Sequence, residues 1–386
     1  MIMRILLAHN RYQQAGGEDA VLAEEQKLLL QNGVEVELYE QDNHNIANMQ
    51  PLQVAVDTIW SRRTTAEITE RIRQFRPDVI HVHNTFPLIS PSLYFAADKQ
   101  GVPVVQTLHN FRLFCAQAMF MRNGSVCEDC IGHVPWRGVM RRCYRESGTQ
   151  SAVVVGMQSL HRWLGTYRNK VTRYIALNNF CRDKFIEAGL PAERIAIKPN
   201  FVDLAAPEIA TRRGGLFVGR LAAEKGIGTL AQAVGLYPDA HINVIGHGPE
   251  EQKLHGLSPI SLLGWMQSPE IYERMARASY LVMPSIWYEN FPRTLVEAYA
   301  CGLPVIASRL GAMAELVHDG KTGLLFNPGD ADDLAQKLRW ADAHLDEMQR
   351  MGEAARREYE TNYTSEINFR QLMHIYDEAQ HYVHAA

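Results

Sequence analysis

Along this chain, short apolar runs alternate with longer stretches in which apolar residues recur every third or fourth place. Arg4–Ala8 reads as a buried strand. Glu18–Asn32 follows as a helix, with Val21, Leu22, Leu28 and Leu29 at helical spacing and Gly33 as its stop. Val34–Tyr39, Asp78–Val82 and Val102–Leu108 predict further strands, and Ser92–Gln100 a helix ended by Gly101. Strands alternating with helices in this way imply right-handed βαβ units and a parallel sheet. The alternation breaks over residues 112–150, where four cysteines and many arginines show no clean period, and this segment reads as an insertion. It resumes with a strand at Tyr174–Leu177, a helix at Asn179–Ala188 and a strand near Ile195–Lys198.

Pro199–Pro207 reads as a linker into a second α/β series. Its strands are Gly215–Val218, Ile242–Ile245, Ser261–Leu263, Tyr280–Met283, Val305–Ser308 and Leu324–Phe326, with a helix from Ile227 and short helices between them. The stretch from Ser365 is helical, and no strand follows it. The expected architecture is α/β, with two Rossmann-like, doubly wound domains over residues 1–200 and 201–364. The domains are expected to face a cleft lined by the carboxyl ends of both sheets, with residues 365–386 packing back on the first.

A length of 386 residues, 46% of them hydrophobic, is ample for two cores. The net charge of −4 argues against a dedicated nucleic-acid binder. No run approaches the ~20 apolar residues of a membrane span. The run Ile5–Ala8 meets His9, Asn10 and Arg11 at once, so it is not read as an export signal, and a cytoplasmic location is expected. Without export, Asn123-Gly-Ser125 is a chance sequon. Six cysteines are too few for a disulfide scaffold, and Cys181 and Cys301, on helical patterns, are expected in the core.

The most informative chemistry lies in Glu289-Asn-Phe-Pro-Arg-Thr-Leu-Val-Glu297. Two glutamates eight apart straddle a loop and a helix start, so both can face one pocket. Carboxylates suit sugars because each accepts two hydroxyl hydrogen bonds, and amides at a helix start suit a phosphate. The plainer alternative is two solvated surface acids. A second segment, Gly219-Arg220-Leu-Ala-Ala-Glu-Lys225-Gly226, sets two cations after a strand, where they can grip a diphosphate or form a basic turn. A third, Gln14-Ala-Gly16-Gly17-Glu18, is a glycine-rich turn that permits close backbone approach to a ligand. It is not a dinucleotide fingerprint, and no acid for a ribose is expected at the end of the second strand.

In this order the sequence resembles family 4 of the retaining glycosyltransferases, of GT-B fold: Gly16-Gly17, Thr107-Leu-His109, Gly219-Arg220 with Glu224-Lys225-Gly226, and the pair Glu289/Glu297. The resemblance spans nearly the whole chain and implies a nucleotide-sugar donor, UDP- or GDP-linked. Arg220 and Lys225 would hold the diphosphate, Glu297 the ribose and Glu289 the transferred sugar, with backbone amides from Asn290 and Phe291 to Thr294 and Leu295 assisting. His109 would lie near the sugar, and Gly17 would let the phosphate approach. The chain departs from the family with Asn-Phe-Pro-Arg, since Pro292 has no N–H. With Arg220 and Lys225 as fixed cations, no cofactor is expected for catalysis. Asp330-Ala-Asp332 matches a metal motif in letters but reads as a helix start.

Cys115, Cys127, Cys130 and Cys143 are spaced C-x11-C-x2-C-x12-C, which fits a structural zinc or, alternatively, plain buried thiols. Residues 133–173 hold seven arginines and one lysine against Glu146 alone, interleaved with Trp136, Tyr144, Trp163 and Tyr167. That asymmetry suggests an anionic membrane surface or a lipid-linked diphosphate acceptor, the plainer alternative being a solvated basic face. The expected function is sugar transfer to a saccharide or lipid-linked acceptor in surface polysaccharide, lipopolysaccharide or glycolipid synthesis, free in the cytoplasm or peripheral on the inner membrane's cytoplasmic face. The rivals are a nucleotide-sugar 2-epimerase and a non-catalytic binding protein.

Overall fold

The computed structural model describes residues 2–13, 16–204 and 211–385. Its strands in chain order are β1 (Arg4–Arg11), β2 (Glu35–Asp42), β3 (Val79–Val82), β4 (Val104–Thr107), β5 (Met121–Arg122), β6 (Ser125–Val126), β7 (Arg173–Ala176) and β8 (Ile195–Ile197). They continue with β9 (Gly215–Val218), β10 (Ile242–Ile245), β11 (Ile260–Gly264), β12 (Tyr280–Met283), β13 (Val305–Ser308) and β14 (Gly323–Phe326). The chain forms two compact units. One comprises residues 1–120, 128–199 and 368–386, and the other residues 121–127 and 200–367.

The first unit is built on an all-parallel sheet of order β2-β1-β3-β4-β7-β8. The order reverses between β1 and β3, so the crevice of this sheet opens at their carboxyl ends. Ile5, Leu7, Val79, Val105 and Ile175 form the core with Leu22 and Leu29 of the helix Gly17–Gln31. The helix Ser365–Ala385 closes that core with Leu372, Ile375, Tyr376 and Ala379, the stripe that helical periodicity puts on one face.

Three helices of this unit escape the periodic reading: Pro51–Ile59, Arg62–Phe75 and Gly148–Trp163. The last starts inside the segment read as an insertion, where Ser147 Oγ accepts from Gln150 N and caps it. Before it lies the β5–β6 hairpin, whose Asn123-Gly124 turn has positive φ at both residues, as a type I′ turn needs. β2 runs three residues past the expected strand to Asp42, so an acid does stand at its end, contrary to the sequence reading. Its Oδ1 accepts from His44 N at 2.8 Å and caps the next turn. Gln14 and Ala15 of the glycine loop, and residues 205–207 of the expected linker, lie outside the described residues.

The second unit has the parallel order β11-β10-β9-β12-β13-β14, with its reversal between β9 and β12. Both units are thus Rossmann-like. Phe217, Val244, Val282, Ile306 and Phe326 carry the second core on five strands, with Leu230 and Leu334 from flanking helices. Asp330 Oδ1 accepts from Asp333 N at 3.0 Å, so Asp330-Ala-Asp332 starts the helix Ala331–Ala343. Among the described residues no helix is long and apolar enough to cross a membrane.

Candidate functional site

In the second unit the loops that leave β9 and β12, on either side of the order reversal, carry the predicted residues. Glycine makes their approach feasible. Gly226 has φ of 72°, and a Cβ there would stand 1.8 Å from Pro284 O. A Cβ on Gly246, after β10, would meet Gly219 O at 1.9 Å. Three strand-end loops are therefore pressed together by contacts that only glycine tolerates.

Into this corner points Glu289, which is buried. Its Oε1 accepts from Lys225 Nζ at 2.6 Å, Ser285 Oγ at 2.8 Å and Trp287 Nε1 at 3.0 Å. The same ammonium lies 5.5 Å from the centre of the Trp287 ring, a second contact that favours the cation. Arg220 pairs with Glu224 and keeps its guanidinium largely exposed. Glu224 is in turn tied to the β12 loop, its carbonyl accepting from Ile286 N at 2.9 Å.

Glu297 sits one turn inside the helix Arg293–Ala300, where its Oε1 accepts from Arg293 Nε at 2.9 Å and Tyr272 OH at 3.4 Å. Pro292 is the N-cap of that helix, and no side chain caps it. Its missing N–H thus falls just before the helical amides. Asn290 and Phe291, within the loop, are buried, and Thr294 is half-buried. Leu295 is core, and its N–H donates to Pro292 O at 3.0 Å within the turn. This corner combines two cations, two carboxylates and an uncapped helix start, the parts a diphosphate with attached hydroxyls requires.

In the first unit Gly16 caps the helix Gly17–Gln31, and Asp19 Oδ2 accepts from its N–H at 2.8 Å. Neither glycine has the positive φ that demands one, and a Cβ on Gly17 would meet nothing within 4 Å. Internal packing therefore does not explain glycine at 17. Glu18 beside it accepts from Tyr12 OH at 3.0 Å, and burial pushes its carboxyl up to about 7.

His109, half-buried just past β4, pairs through Nε2 with His83 Nδ1 at 2.9 Å. His83 Nε2 lies 3.1 Å from Glu25 Oε1, and Lys198 Nζ donates to Glu25 Oε2 at 3.0 Å. Glu25, His81, His83 and Lys198 are fully enclosed. Sequence reasoning missed them, because Glu25 falls among the polar residues of an amphipathic helix. The signal that could have found them is Asp-Val-Ile-His-Val-His, which alternates histidine into an otherwise apolar strand. Among the described residues of this unit, the ligand atoms of Glu25, His81 and His83 lie within 4.8 Å of one another. Lys198 already supplies that carboxylate with a cation, which opposes a metal ion there. Sequence reasoning also passed over Ser285 as a contact, and Trp287 and Tyr272 altogether.

A cavity of about 910 Å³ opens elsewhere in the first unit, lined among others by Ile46, Met49, Val54, Phe86, Arg112 and Tyr144. The Arg112 guanidinium lies 4.7 Å from the Phe86 ring centre and 5.0 Å from that of Tyr144. Of the predicted zinc ligands, Cys115, Cys130 and Cys143 belong to the first unit and Cys127 to the second, all half-buried. Cys181 and Cys301 are core, and burial pushes the Cys301 thiol up to about 12. The basic stretch is partly used internally: Arg141 pairs with Asp129, Lys170 with Asp98 and Arg173 with Glu378. Arg142 and Arg145 are exposed, as are Trp136, Met140 and Trp163.

Two Rossmann-like units, one with paired cations and carboxylates at its switch point, define a GT-B type of protein. The family models agree. Residues 15–206 match "Glycosyltransferase Family 4" and residues 212–341 match "Glycosyl transferases group 1". The chain belongs to glycosyltransferase family 4. It is 36% identical over 314 residues to the sulfoquinovosyl transferase of Arabidopsis thaliana, a match covering 76% of this chain and 55% of that one. It is 27% identical over 285 residues to the glycogen synthase of Mycobacterium tuberculosis, covering 69% and 60%. The chain thus spans little more than half the length of these two relatives. The sucrose-phosphate synthase of Thermosynechococcus elongatus shares the fold with a TM-score of 0.70 at 15% identity, over 97% of this chain and 98% of that one. So does Anabaena HepE, solved in complex with UDP, with a TM-score of 0.65 at 18% identity, over 96% and 99%.

Proposed function

We propose that this chain transfers a sugar from a nucleoside-diphosphate donor to an acceptor hydroxyl, with retention of the anomeric configuration. The carrying observation is the corner where Lys225, Ser285 and Trp287 converge on Glu289 beside exposed Arg220. Breaking the bond between sugar and diphosphate puts negative charge on the leaving group. Arg220 and Lys225 are fixed where they can neutralise it, so no divalent cation is required. Glu297 takes the ribose and Glu289 the sugar hydroxyls, while Gly17 gives the phosphates room and His109 meets the sugar. The UDP bound by Anabaena HepE supports a nucleoside-diphosphate donor here, UDP- or GDP-linked.

The 910 Å³ cavity of the first unit, lined by Met49, Val54 and Phe86 and also by Arg112 and Arg145, suits an acceptor with an apolar part and an anionic group. Exposed Trp136, Met140 and Trp163, with exposed Arg142 and Arg145 in the same stretch of sequence, support an anionic membrane surface as the place of work. The test is transfer in excess EDTA, with the product anomer assigned by NMR coupling constants. Retained activity and a retained anomer are expected. Loss in EDTA from a chain still folded by circular dichroism overturns the cation argument, and an inverted anomer rejects retention. An epimerised free product without acceptor transfer would favour the epimerase.

A further inference from the structure

The buried histidines past β3 and β4 form a directed chain of hydrogen bonds that ends on His109. Glu25 is enclosed and ionised. Burial alone would push its carboxyl up, but the Lys198 ammonium outweighs that and, with His81 and His83, holds it well below the usual range. A carboxylate only accepts, so His83 must present Nε2–H to Glu25 Oε1. Burial and the neighbouring His81 keep the His83 ring neutral, with its value pushed down to about 4. A neutral ring protonated at Nε2 has a bare Nδ1, and that nitrogen faces His109 Nε2 at 2.9 Å. His109 must therefore donate Nε2–H inward, which leaves its own Nδ1 as a lone pair. Among the described residues that Nδ1 has no hydrogen-bond partner. His109 also borders a small cavity of about 30 Å³ shared with Thr85, Gln106 and Thr107.

We infer that Glu25 and His83 are positioning residues, which lock His109 in the Nε2–H tautomer so that its Nδ1 serves only as a hydrogen-bond acceptor for a ligand hydroxyl. The groups around His83 are consistent with one fixed arrangement. His81 Nδ1 lies 3.0 Å from Glu25 Oε1 and 2.7 Å from Tyr376 OH, with Nε2 against Thr107 Oγ1 at 2.8 Å. His9 stands edge-on to the His83 ring and is held by Asp19 at 2.8 Å. Lys198 is fixed on its far side by Asn368 at 3.0 Å. No member can flip its ring without leaving a buried donor or acceptor unmatched. A locked acceptor discriminates: it welcomes a sugar hydroxyl in one orientation and rejects a carbonyl or ether oxygen at the same place.

That the hydroxyl belongs to the transferred sugar rests on the function proposed above; the tautomer itself does not. Two-bond 15N–1H correlation spectra of the full chain labelled in histidine, with His109 assigned from His109→Gln, read the tautomer without any donor. The expected result is one neutral Nε2–H form of His109 between about pH 6 and 8. A ring protonated at Nδ1, or on both nitrogens, overturns the inference even if no variant can be made. In His83→Phe the lock is gone and a mixture of tautomers is expected, and a folded variant that keeps the pure Nε2–H form also overturns it. In the transfer assay His83→Phe should lower kcat by about 10-fold or more. It should add no further loss in a His109→Ala background, whereas an additive loss would assign His83 a role independent of His109 and overturn the relay. If transfer is never found but the tautomer is as stated, only the sugar assignment falls.

Discussion

Lys225 Nζ stands 2.6 Å from Glu289 Oε1 across 64 residues of sequence, joining the loop after β9 to the loop after β12. The pair does two things at once. It neutralises a carboxylate that the fold buries, and it fixes the cation's direction by sharing that oxygen with Ser285 and Trp287. Removing Lys225 leaves the buried Glu289 carboxylate uncompensated, whereas removing Glu289 frees an ammonium that is only half-buried and can turn to water.

The two glutamates should therefore fail in different ways. Glu297 is held by Arg293 and Tyr272 at the rim, so Glu297→Ala is expected to weaken nucleotide-sugar binding. Glu289→Ala is expected to keep most of that affinity and lower turnover by about 10²–10³-fold. Calorimetry and rates on both variants decide it, and unchanged affinity and rate in both would end the assignment.

Two glycines separate structural from ligand-facing roles. Gly226→Ala forces a Cβ onto Pro284 O and adds about 1–2 kcal/mol of left-handed backbone cost, so the melting temperature should drop. Gly17→Ala meets open space at the first residue of a helix, so stability should hold within about 0.5 kcal/mol while donor-dependent activity falls. Thermal melts and donor titrations side by side give the answer. Undiminished activity in Gly17→Ala would remove the phosphate from that loop.

If Cys115, Cys127, Cys130 and Cys143 hold a structural zinc, the protein carries about one zinc per chain. Elemental analysis of material purified without chelator or a metal-affinity tag measures it. All four thiols titrating freely in zinc-free, folded protein would reject the site. Four protein ligands leave no open position, so loss of the metal should harm folding before chemistry.

Acid should loosen the first unit through its histidines. The folded chain protonates His83 only near 4, whereas an unfolded histidine takes its proton near 6.5. Between those values the unfolded state binds more protons, so stability falls as pH drops from about 6.5 to 4. Glu18, raised to about 7, works in the opposite sense, gaining its proton in the folded state first. The clean readout is the gap in melting temperature between the wild type and His83→Phe, which should narrow on acidification. A constant gap would mean that His83 takes its proton in the fold as readily as it does in the unfolded chain.

Much of this was visible in the sequence where a local pattern carries it. Strand runs such as Tyr280–Met283 and the Glu289/Glu297 pair depend on neighbours in the chain, and they fall where expected. The helix Arg62–Phe75 did not show because its few apolar positions, such as Ile68 and Ile72, are set among charges. Pro51–Ile59 did not because nine largely apolar residues are too short a run to show a helical period. The Glu25–His83–His109 chain was hidden for another reason. Its members come from a helix and from the ends of two strands, and only the sheet order brings β3 and β4 side by side. The arginine-rich stretch read as one uniform charge, yet the fold spends Arg141, Lys170 and Arg173 on nearby carboxylates.

The helix Ser365–Ala385 supplies Tyr376 to His81 and Asn368 to Lys198, and it covers Ile5, Val105 and Ile175. Those residues leave the ribosome only after the whole of 200–367 has been made. The unit begun first is thus finished last, and while the other unit is being synthesised its apolar face stays bare. Vectorial synthesis, which usually lets an N-terminal domain fold ahead of the rest, is here turned around. A truncated chain stopping before Ser365 would present that uncovered face to chaperones and proteases, however sound its second unit.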